Sequence, residues 1–184
     1  MQAAVLSNIG KVRRENQDRF LVDKNRGLFV ICDGMGGHKA GEVAAQMAID
    51  IIHGNLDEID KVHPLTFLTT SIMEANHSIY SKGQQSEECS DMGTTITAAI
   101  VRDMELYTAH IGDSSLFLIN SDGVEKITRD HTLAEKMLQE GLIDENDIGV
   151  RRYRHILTRA LRIKESVEID CYTNRLKSED RLFM

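Results

Sequence analysis

The chain has 184 residues and a mass of 20.7 kDa, the size of a single domain with a sizeable core. Its composition, 41% hydrophobic and 28% charged, excludes a disordered or fibrous chain. The net charge of −7 argues against nucleic acid or an anionic membrane as a partner, and the apolar runs are too short to span a membrane. The three cysteines are widely spaced and no signal-peptide pattern is present, so we expect a cytoplasmic protein with free thiols.

Short apolar runs predict three strands in the first third of the chain: 2–6, 18–23 and 27–33. A Gly-rich loop at 34–41 then leads into a helix, because apolar residues recur at helical spacing from Val43 to Ile51. Pro64 suits the first turn of a second helix, whose apolar stripe includes Ile72. Two helices in succession are expected to pack as a pair.

The middle of the chain returns to predicted strands, at 94–101, 106–111, 115–119 and 124–127. Thr132 and Glu135 have capping-box spacing, which predicts a helix that begins at Leu133. The remaining predicted elements are a short helix at 155–161, a strand at 167–172 and a charged turn into an apolar strand at 179–184. Strands, a helix pair and more strands indicate an α+β fold with mostly antiparallel sheets.

Three aspartates lie at the ends of predicted strands. Asp18 begins one strand, Asp33 ends another, and Asp113 follows a third. Each of them alone is well explained by turn chemistry, but a carboxylate at the end of a buried strand is costly unless a cation meets it. The three together favour a metal site, and oxygen ligands without a histidine or thiolate cluster suit Mg²⁺ or Mn²⁺ rather than Zn²⁺.

The glycine-rich loop after Asp33 matches neither common phosphate-binding motif. A P-loop needs a Lys-Ser/Thr pair where Glu42 follows Gly41, and a dinucleotide fingerprint needs glycine where Lys39 stands. The glycines instead permit a tight turn that exposes backbone carbonyls and amides. Strand alternation places Cys32 on the face opposite Asp33, which predicts a packing role for the thiol.

Basic residues supply two further candidates. Arg13 precedes Asp18 by five residues and would suit a grip on phosphate, with a solvated surface arginine as the alternative. Residues 151–164 carry six Arg or Lys and no acid. That stretch is either a solvated face or a contact for a phosphorylated or acidic partner.

Six ordered motifs resemble those of the metal-dependent Ser/Thr protein phosphatases, the protein phosphatase 2C (PPM) family, in its bacterial form. The matching segments are GKVRRENQD (10–18), CDGMGGH (32–38), MGTT (92–95), HIGDS (110–114), TRDH (128–131) and LTRAL (157–161). The resemblance spans nearly the whole chain. It implies one catalytic domain over 1–184, a sandwich of two antiparallel β-sheets flanked by helix pairs, with a variable flap at about 132–154.

The resemblance also implies a site with two or three Mn²⁺ or Mg²⁺ ions. In that site Asp33 bridges two metals beside the carbonyl of Gly34, Asp18 holds one metal directly or through water, Asp113 holds a third, weaker metal, and Arg13 binds the substrate phosphate. Asp33 and Asp18 are therefore the implied catalytic residues. A metal-activated water attacks phosphorus, so no nucleophilic cysteine or serine is required. The implied substrate is a protein phosphorylated on serine or threonine by a kinase.

Some positions depart from the family pattern. Met35 stands where many eukaryotic relatives have a histidine that is a candidate general acid, and Arg162 stands where bacterial relatives usually have glycine. The later Ser-Asp-Gly and Asp-Asn segments, which carry two more metal-binding aspartates, are absent. We therefore expect the chain to lack its C-terminal end and to be weakly active or inactive alone.

Two other functions stay open at this point. One is a non-catalytic short form that binds phosphoproteins through Arg13 and the basic stretch. The other is a carboxylate-metal nuclease, which the acidic balance disfavours.

Overall fold

The structure is a computed structural model that describes residues 1–11, 13, 15–36, 40–85, 89–144 and 150–184. The described residues form nine strands: β1 Asp18–Asp23, β2 Leu28–Met35, β3 Gly93–Thr94, β4 Ile96–Arg102, β5 Glu105–Ile111, β6 Phe117–Asn120, β7 Gly123–Lys126, β8 Asp170–Arg175 and β9 Arg181–Phe183. They also form four α-helices: α1 Ala40–Gly54, α2 Pro64–Gln85, α3 Leu133–Gln139 and α4 Val150–Tyr153.

The strands form two antiparallel sheets. The larger sheet has the order β1-β2-β4-β5-β8, and β3 pairs with the end of β2. The smaller sheet has the order β7-β6-β9. Every pairing between these strands is antiparallel, which confirms the predicted α+β class and the two antiparallel sheets.

The core lies on both faces of the larger sheet. Alternate residues of β2, including Leu28, Val30 and Cys32, are buried in one cluster with α1 and α2, so the predicted helix pair and the packing role of Cys32 are confirmed. The side chains of α1 that enter this cluster include Ala44 and Ala48, whose small size lets the helix lie close to the sheet. A second cluster joins β4 and β5 to the smaller sheet. The larger sheet is thus the middle layer of the molecule.

Two predicted elements are wrong. Residues 2–6 form no strand, and side chains such as Leu6, at 91% exposed, have no sheet to pack against. Residues 155–161 form no helix, because Leu157 bridges Thr132 and Leu161 bridges Thr94 in separate β-bridges. The spacing of four between the two leucines is common to one helical turn and to an extended chain, and the sequence pattern did not separate them.

Other predicted boundaries move by a few residues. The strand predicted at 167–172 is β8 at 170–175, since Val167 and Ile169 pack against the core without pairing. The capping prediction is confirmed: Thr132 precedes α3, and its hydroxyl oxygen accepts a hydrogen bond from the Glu135 amide at 3.2 Å. None of the helices in the described parts of the chain is long and apolar enough to cross a membrane.

Candidate active site

A pair of carboxylates lies at one end of the larger sheet. Asp18 begins β1, Asp33 is near the end of β2, and the antiparallel register places them directly opposite each other. Side chains opposite each other on adjacent strands share a face, and two like charges there repel. The Asp33 side chain is 47% exposed, so solvent and ligands can reach this end of the sheet.

The electrostatics of Asp33 reflect this crowding of negative charge. Burial raises the pKa of the Asp33 carboxyl, the Asp18 and Asp113 charges raise it further, and the Arg13 guanidinium opposes them. A cation bound between these groups would relieve the repulsion, and a donor set of carboxylate oxygens fits a hard ion such as Mn²⁺ or Mg²⁺. Among the residues that the structure describes, no group of three or more His, Cys, Asp or Glu side chains could hold a metal ion by itself.

Two threonines hold the backbone of Asp33. The Asp33 amide donates to Thr95 Oγ1 at 3.0 Å, and the Thr95 amide donates to the Asp33 carbonyl at 2.9 Å. The hydroxyl of Thr94 donates to the same carbonyl at 3.1 Å. Thr95 Oγ1 also lies 2.8 Å from Ser114 Oγ, so one side chain links the Asp33 strand to the residue after Asp113.

The requirement for glycine after Asp33 is steric. A Cβ on Gly34 would lie 2.3 Å from the Gly41 carbonyl oxygen and 2.7 Å from the Gln17 carbonyl oxygen. The Gly34 amide donates to that Gln17 carbonyl at 3.2 Å. The backbone at the start of α1 is therefore in direct contact with the end of β2 that carries Asp33. Residues 37–39 of the predicted Gly-rich loop lie outside the described residues.

The turn that carries Asp113 is held by a histidine. Gly112, at a φ of +116°, donates its amide to His131 Nδ1 at 3.0 Å, and the His131 amide donates to the Gly112 carbonyl at 2.7 Å. Because Nδ1 accepts a hydrogen bond from the Gly112 amide, the neutral ring carries its own proton on Nε2. Burial raises the pKa of Asp113, and the charge of Asp130 adds to the effect.

Beneath this turn, His110 and His131 lie 4.8 Å apart between ring centroids. His110 Nδ1 lies 2.9 Å from Thr97 Oγ1 and Nε2 lies 3.1 Å from the Arg129 carbonyl oxygen. Burial, followed by the neighbouring His131, lowers the pKa of His110 to about 4. His131 Nε2 approaches Asp170 Oδ2 to 3.1 Å without the alignment of a hydrogen bond. The two rings are neutral, buried supports at neutral pH.

The structure brings most of the candidate residues together. Asp18 and Asp33 are paired, and Arg13 Nη1 lies 3.8 Å from Asp33 Oδ1 with 58% of the arginine side chain exposed. Asp113 is near enough for its charge to act on Asp33. The sequence-based account did not predict Thr95 as a support, although it lies within the quoted motif MGTT, whereas a structural role for His131 was expected.

Arg162, where bacterial relatives usually have glycine, has a φ of +83°. This left-handed conformation is the one that glycine adopts without strain. Leu161, the preceding residue, donates its amide to the Thr94 carbonyl at 2.9 Å. Arg162 therefore follows directly a residue that bonds Thr94, one of the two threonines that hold the backbone of Asp33.

Comparison with known proteins identifies the family of the chain. Residues 7–137 match the family model of protein phosphatase 2C. The chain is 30% identical to the serine/threonine phosphatase stp of Listeria innocua over 191 residues, with 100% of this chain and 76% of the relative covered. The serine/threonine phosphatase Stp1 of Staphylococcus aureus superposes with a TM-score of 0.86 at 30% identity, over 93% of this chain and 70% of that one. The catalytic domain of the phosphatase PstP, solved with two manganese ions, superposes with a TM-score of 0.77 at 30% identity, over 94% and 71%.

The two antiparallel sheets and their helices form the fold of the phosphatases with which the chain superposes. The chain belongs to the protein phosphatase 2C family. It is a protein-serine/threonine phosphatase that depends on Mn²⁺ or Mg²⁺ and hydrolyses phosphoserine and phosphothreonine in proteins. A non-catalytic phosphoprotein-binding form is not favoured, because the relatives are named as phosphatases.

Proposed function

We propose that the carboxylates of Asp18 and Asp33, with the carbonyl of Gly34, hold the metal centre for this hydrolysis and that Asp113 holds a further, weaker ion. The observation that carries the proposal is the register of β1 and β2, which sets Asp18 opposite Asp33. Two carboxylates in this position repel each other: burial raises the pKa of Asp33 most, and the charge of Asp18 raises it further. A metal ion bound between the two carboxylates would offset this repulsion by its attraction to both.

When bound, the metal lowers the pKa of a coordinated water so that hydroxide is available near neutral pH. The residues of the chain do the rest. Asp33, held at its amide and carbonyl by Thr94 and Thr95, presents its carboxylate in one fixed place. Arg13 lies beside it with an exposed guanidinium, whose planar donors suit the oxygens of a phosphoryl group. The proton for the leaving serine or threonine oxygen comes from water or another group, because Met35 has no proton to give.

We propose the partner from the family and the compartment from the composition of the chain. The substrate is a protein phosphorylated by a Ser/Thr kinase, which places the enzyme in signalling. The net charge of −7 disfavours nucleic acid and anionic membrane as partners. The cysteines lack a disulfide pattern, and Cys32, Cys89 and Cys171 are free thiols, as expected in the cytoplasm. We also propose that residues 1–184 are one catalytic domain and that residues of about 132–154 form a flap that selects substrates; residues 145–149 of this flap lie outside the described residues.

The test is hydrolysis of a phosphothreonine peptide with added Mn²⁺, with Asp33→Asn beside the unchanged chain. We expect turnover to fall by roughly 10³-fold, the effect of losing several kcal/mol of charge stabilisation. Asp23→Asn is the matched control, since Asp23 lies at the other end of β1 and pairs with Arg26 at 2.9 Å. Equal turnover in Asp33→Asn and the unchanged chain contradicts the site. Phosphopeptide binding without hydrolysis, insensitive to chelator, points instead to the non-catalytic form.

A further inference from the structure

Arg19 follows the metal-site candidate Asp18 along β1, and its side chain makes four hydrogen bonds. One terminal nitrogen, Nη1, donates to the carbonyl oxygens of Asn16 at 3.2 Å and Asp18 at 2.7 Å. Nε donates to Gln46 Oε1 at 3.0 Å, and Nη2 donates to Glu42 Oε1. Side chains alternate along a strand, so Arg19 acts on the backbone of Asp18 and leaves its carboxylate free.

The three backbone carbonyls of residues 16–18, where β1 begins, all accept hydrogen bonds. Arg19 binds the carbonyls of Asn16 and Asp18, and the Gly34 amide binds the Gln17 carbonyl between them. The Asp18 amide donates to Asn16 Oδ1 at 3.0 Å. Both backbone groups of Asp18 therefore have partners within residues 16–19, and the Gly34 amide joins the adjacent Gln17 carbonyl to β2.

The other end of the guanidinium is anchored on a helix. Glu42 lies in the first turn of α1, and Gln46 lies one turn later on the same face. Gln46 is in turn fixed, because its Nε2 donates to Asp50 Oδ1 at 2.7 Å. The Arg19 side chain is only 26% exposed, so these contacts are partly shielded from water. The same helix begins in contact with Gly34 through Gly41, which ties both carboxylate-bearing strands to α1.

We propose that Arg19 is a positioning residue that fixes Asp18 opposite Asp33 by clamping the backbone of residues 16–18 to α1, and that it thereby sets the affinity for the metal. The proposal rests on the proposed function, in which Asp18 is a metal ligand. Arginine suits the task because its rigid fork reaches carbonyls and side-chain acceptors in different directions at once, which the single ammonium of lysine does not. Groups that orient a metal ligand typically change metal affinity 10–100-fold when they are removed.

The experiment measures Mn²⁺ binding directly, by the loss of the free-ion signal in electron paramagnetic resonance as protein is added. We expect Arg19→Gln to raise the Kd for Mn²⁺ roughly tenfold or more and Arg19→Lys to raise it by a smaller factor. Arg26→Gln is the matched control: Arg26 makes an ion pair with Asp23 at the far end of the same hairpin, at 2.9 Å. Its Kd should equal that of the unchanged chain, whatever its melting temperature.

Glu42→Ala keeps the test open if Arg19→Gln fails to fold, because it removes an anchor on α1 without altering β1. It should weaken Mn²⁺ binding in the same direction. Under activity assay, the clamp variants should need more Mn²⁺ for half-maximal rate while keeping the rate at saturating Mn²⁺ within about threefold.

The outcomes separate this inference from the proposed function. Asp18→Asn is included for that purpose. If Asp18→Asn weakens Mn²⁺ binding and the clamp variants do not, the positioning role of Arg19 is overturned while Asp18 stands as a ligand. If Asp18→Asn binds Mn²⁺ as the unchanged chain does, Asp18 is not a metal ligand, and the role of Arg19, which rests on that assignment, is overturned with it. A Kd raised equally in Arg26→Gln shows a loss of general stability and also overturns the role of Arg19.

Discussion

Two regions of the molecule place ionisable groups in opposite surroundings. They are the carboxylate end, formed by Asp18 and Asp33, and the histidine layer beneath the Asp113 turn, formed by His110 and His131. Asp18 and Asp33 face each other near solvent with their charges unbalanced, and Arg13 approaches Asp33 only to 3.8 Å. His110 and His131 are buried, and each ring nitrogen lies within 3.1 Å of a partner atom. The first arrangement favours a bound cation, whereas in the second every ring nitrogen already lies against a group of the chain.

This difference is the reason we propose the aspartates as ligands and the histidines as supports. Histidine is a common metal ligand, yet three of these four ring nitrogens are hydrogen-bonded within the protein and the fourth, His131 Nε2, lies against Asp170. The aspartates, by contrast, receive their hydrogen bonds mainly at the backbone, which leaves carboxylate oxygens available. Residue type alone does not distinguish a metal ligand from a structural support. The hydrogen-bond partners of each side chain are the better guide.

The greatest loss of stability is expected at Gly34, where β2 and the start of α1 approach each other closely. Gly34→Ala places a Cβ 2.3 Å from the Gly41 carbonyl oxygen, so either β2 or the start of α1 must move. We expect a loss of at least about 3 kcal/mol in the free energy of unfolding, at the upper end for overpacking. Urea denaturation measures it. Gly54→Ala is the control, because nothing lies within 4 Å of a Cβ there; a similar loss in both variants would contradict the steric account.

The next prediction concerns Thr95, which joins the two regions. Thr95→Val leaves the Asp33 amide without its acceptor and removes the contact with Ser114, so we expect a cost of about 2 kcal/mol in unfolding free energy. Mn²⁺ binding should weaken as well. Thr70→Val is matched chemically, since exposed Thr70 bonds only carbonyls of its own helix, and should change stability by less than about 0.5 kcal/mol. Equal losses of unfolding free energy in Thr95→Val and Thr70→Val would contradict the role of Thr95 in linking Asp33 to Ser114.

The histidine layer is tested by pH. The folded pKa of His110 is lowered from 6.5 to about 4, so the unfolded chain binds the extra proton and acid favours unfolding. Its contribution to stability is present above pH 6.5 and is lost as the pH falls towards 4. Between about pH 7.5 and about pH 5 the loss should be about 2 kcal/mol. His110→Asn should flatten the pH dependence of the unfolding free energy by that amount, and an unchanged slope would show that the ring titrates normally.

The smallest effect concerns backbone strain beside the Thr94 support. At a φ of +83°, Arg162 is in a conformation that favours glycine. Arg162→Gly and Arg162→Ala remove the same side chain and differ in backbone freedom, so Gly should be the more stable by about 1 kcal/mol in chemical denaturation. If alanine is as stable as glycine, position 162 is not strained and the departure from the family pattern has no structural cost.

Much of the fold could be predicted from sequence periodicity. The helices after the Gly-rich loop and after Pro64, and the strands around Asp18 and Asp33, lie where the patterns place them. The failures occur where a short apolar run has no intrinsic period. Leu157 and Leu161 fit one helical turn as well as an extended chain, and only their strand partners decide between them.

The candidate site was predictable in part for the same reason. Asp18, Asp33 and Asp113 carry their own signal, since each is a charge at the end of an apolar strand. Arg19 carries none, because an arginine in an exposed-looking strand is common and its anchors on α1 are more than 20 residues away. Contacts of this kind depend on how a helix docks against a sheet edge, which no local pattern encodes.

Most of the elements, the candidate aspartates and the family resemblance could be predicted from the sequence, because periodicity and motif spacing are properties of neighbouring residues. Only the folded chain shows that Asp18 lies opposite Asp33, that His131 bonds the Asp113 turn, and that Arg19 links the backbone of Asp18 to α1. Each of these joins segments at least 15 residues apart. Their cause is strand register and helix docking, which only the packed core sets.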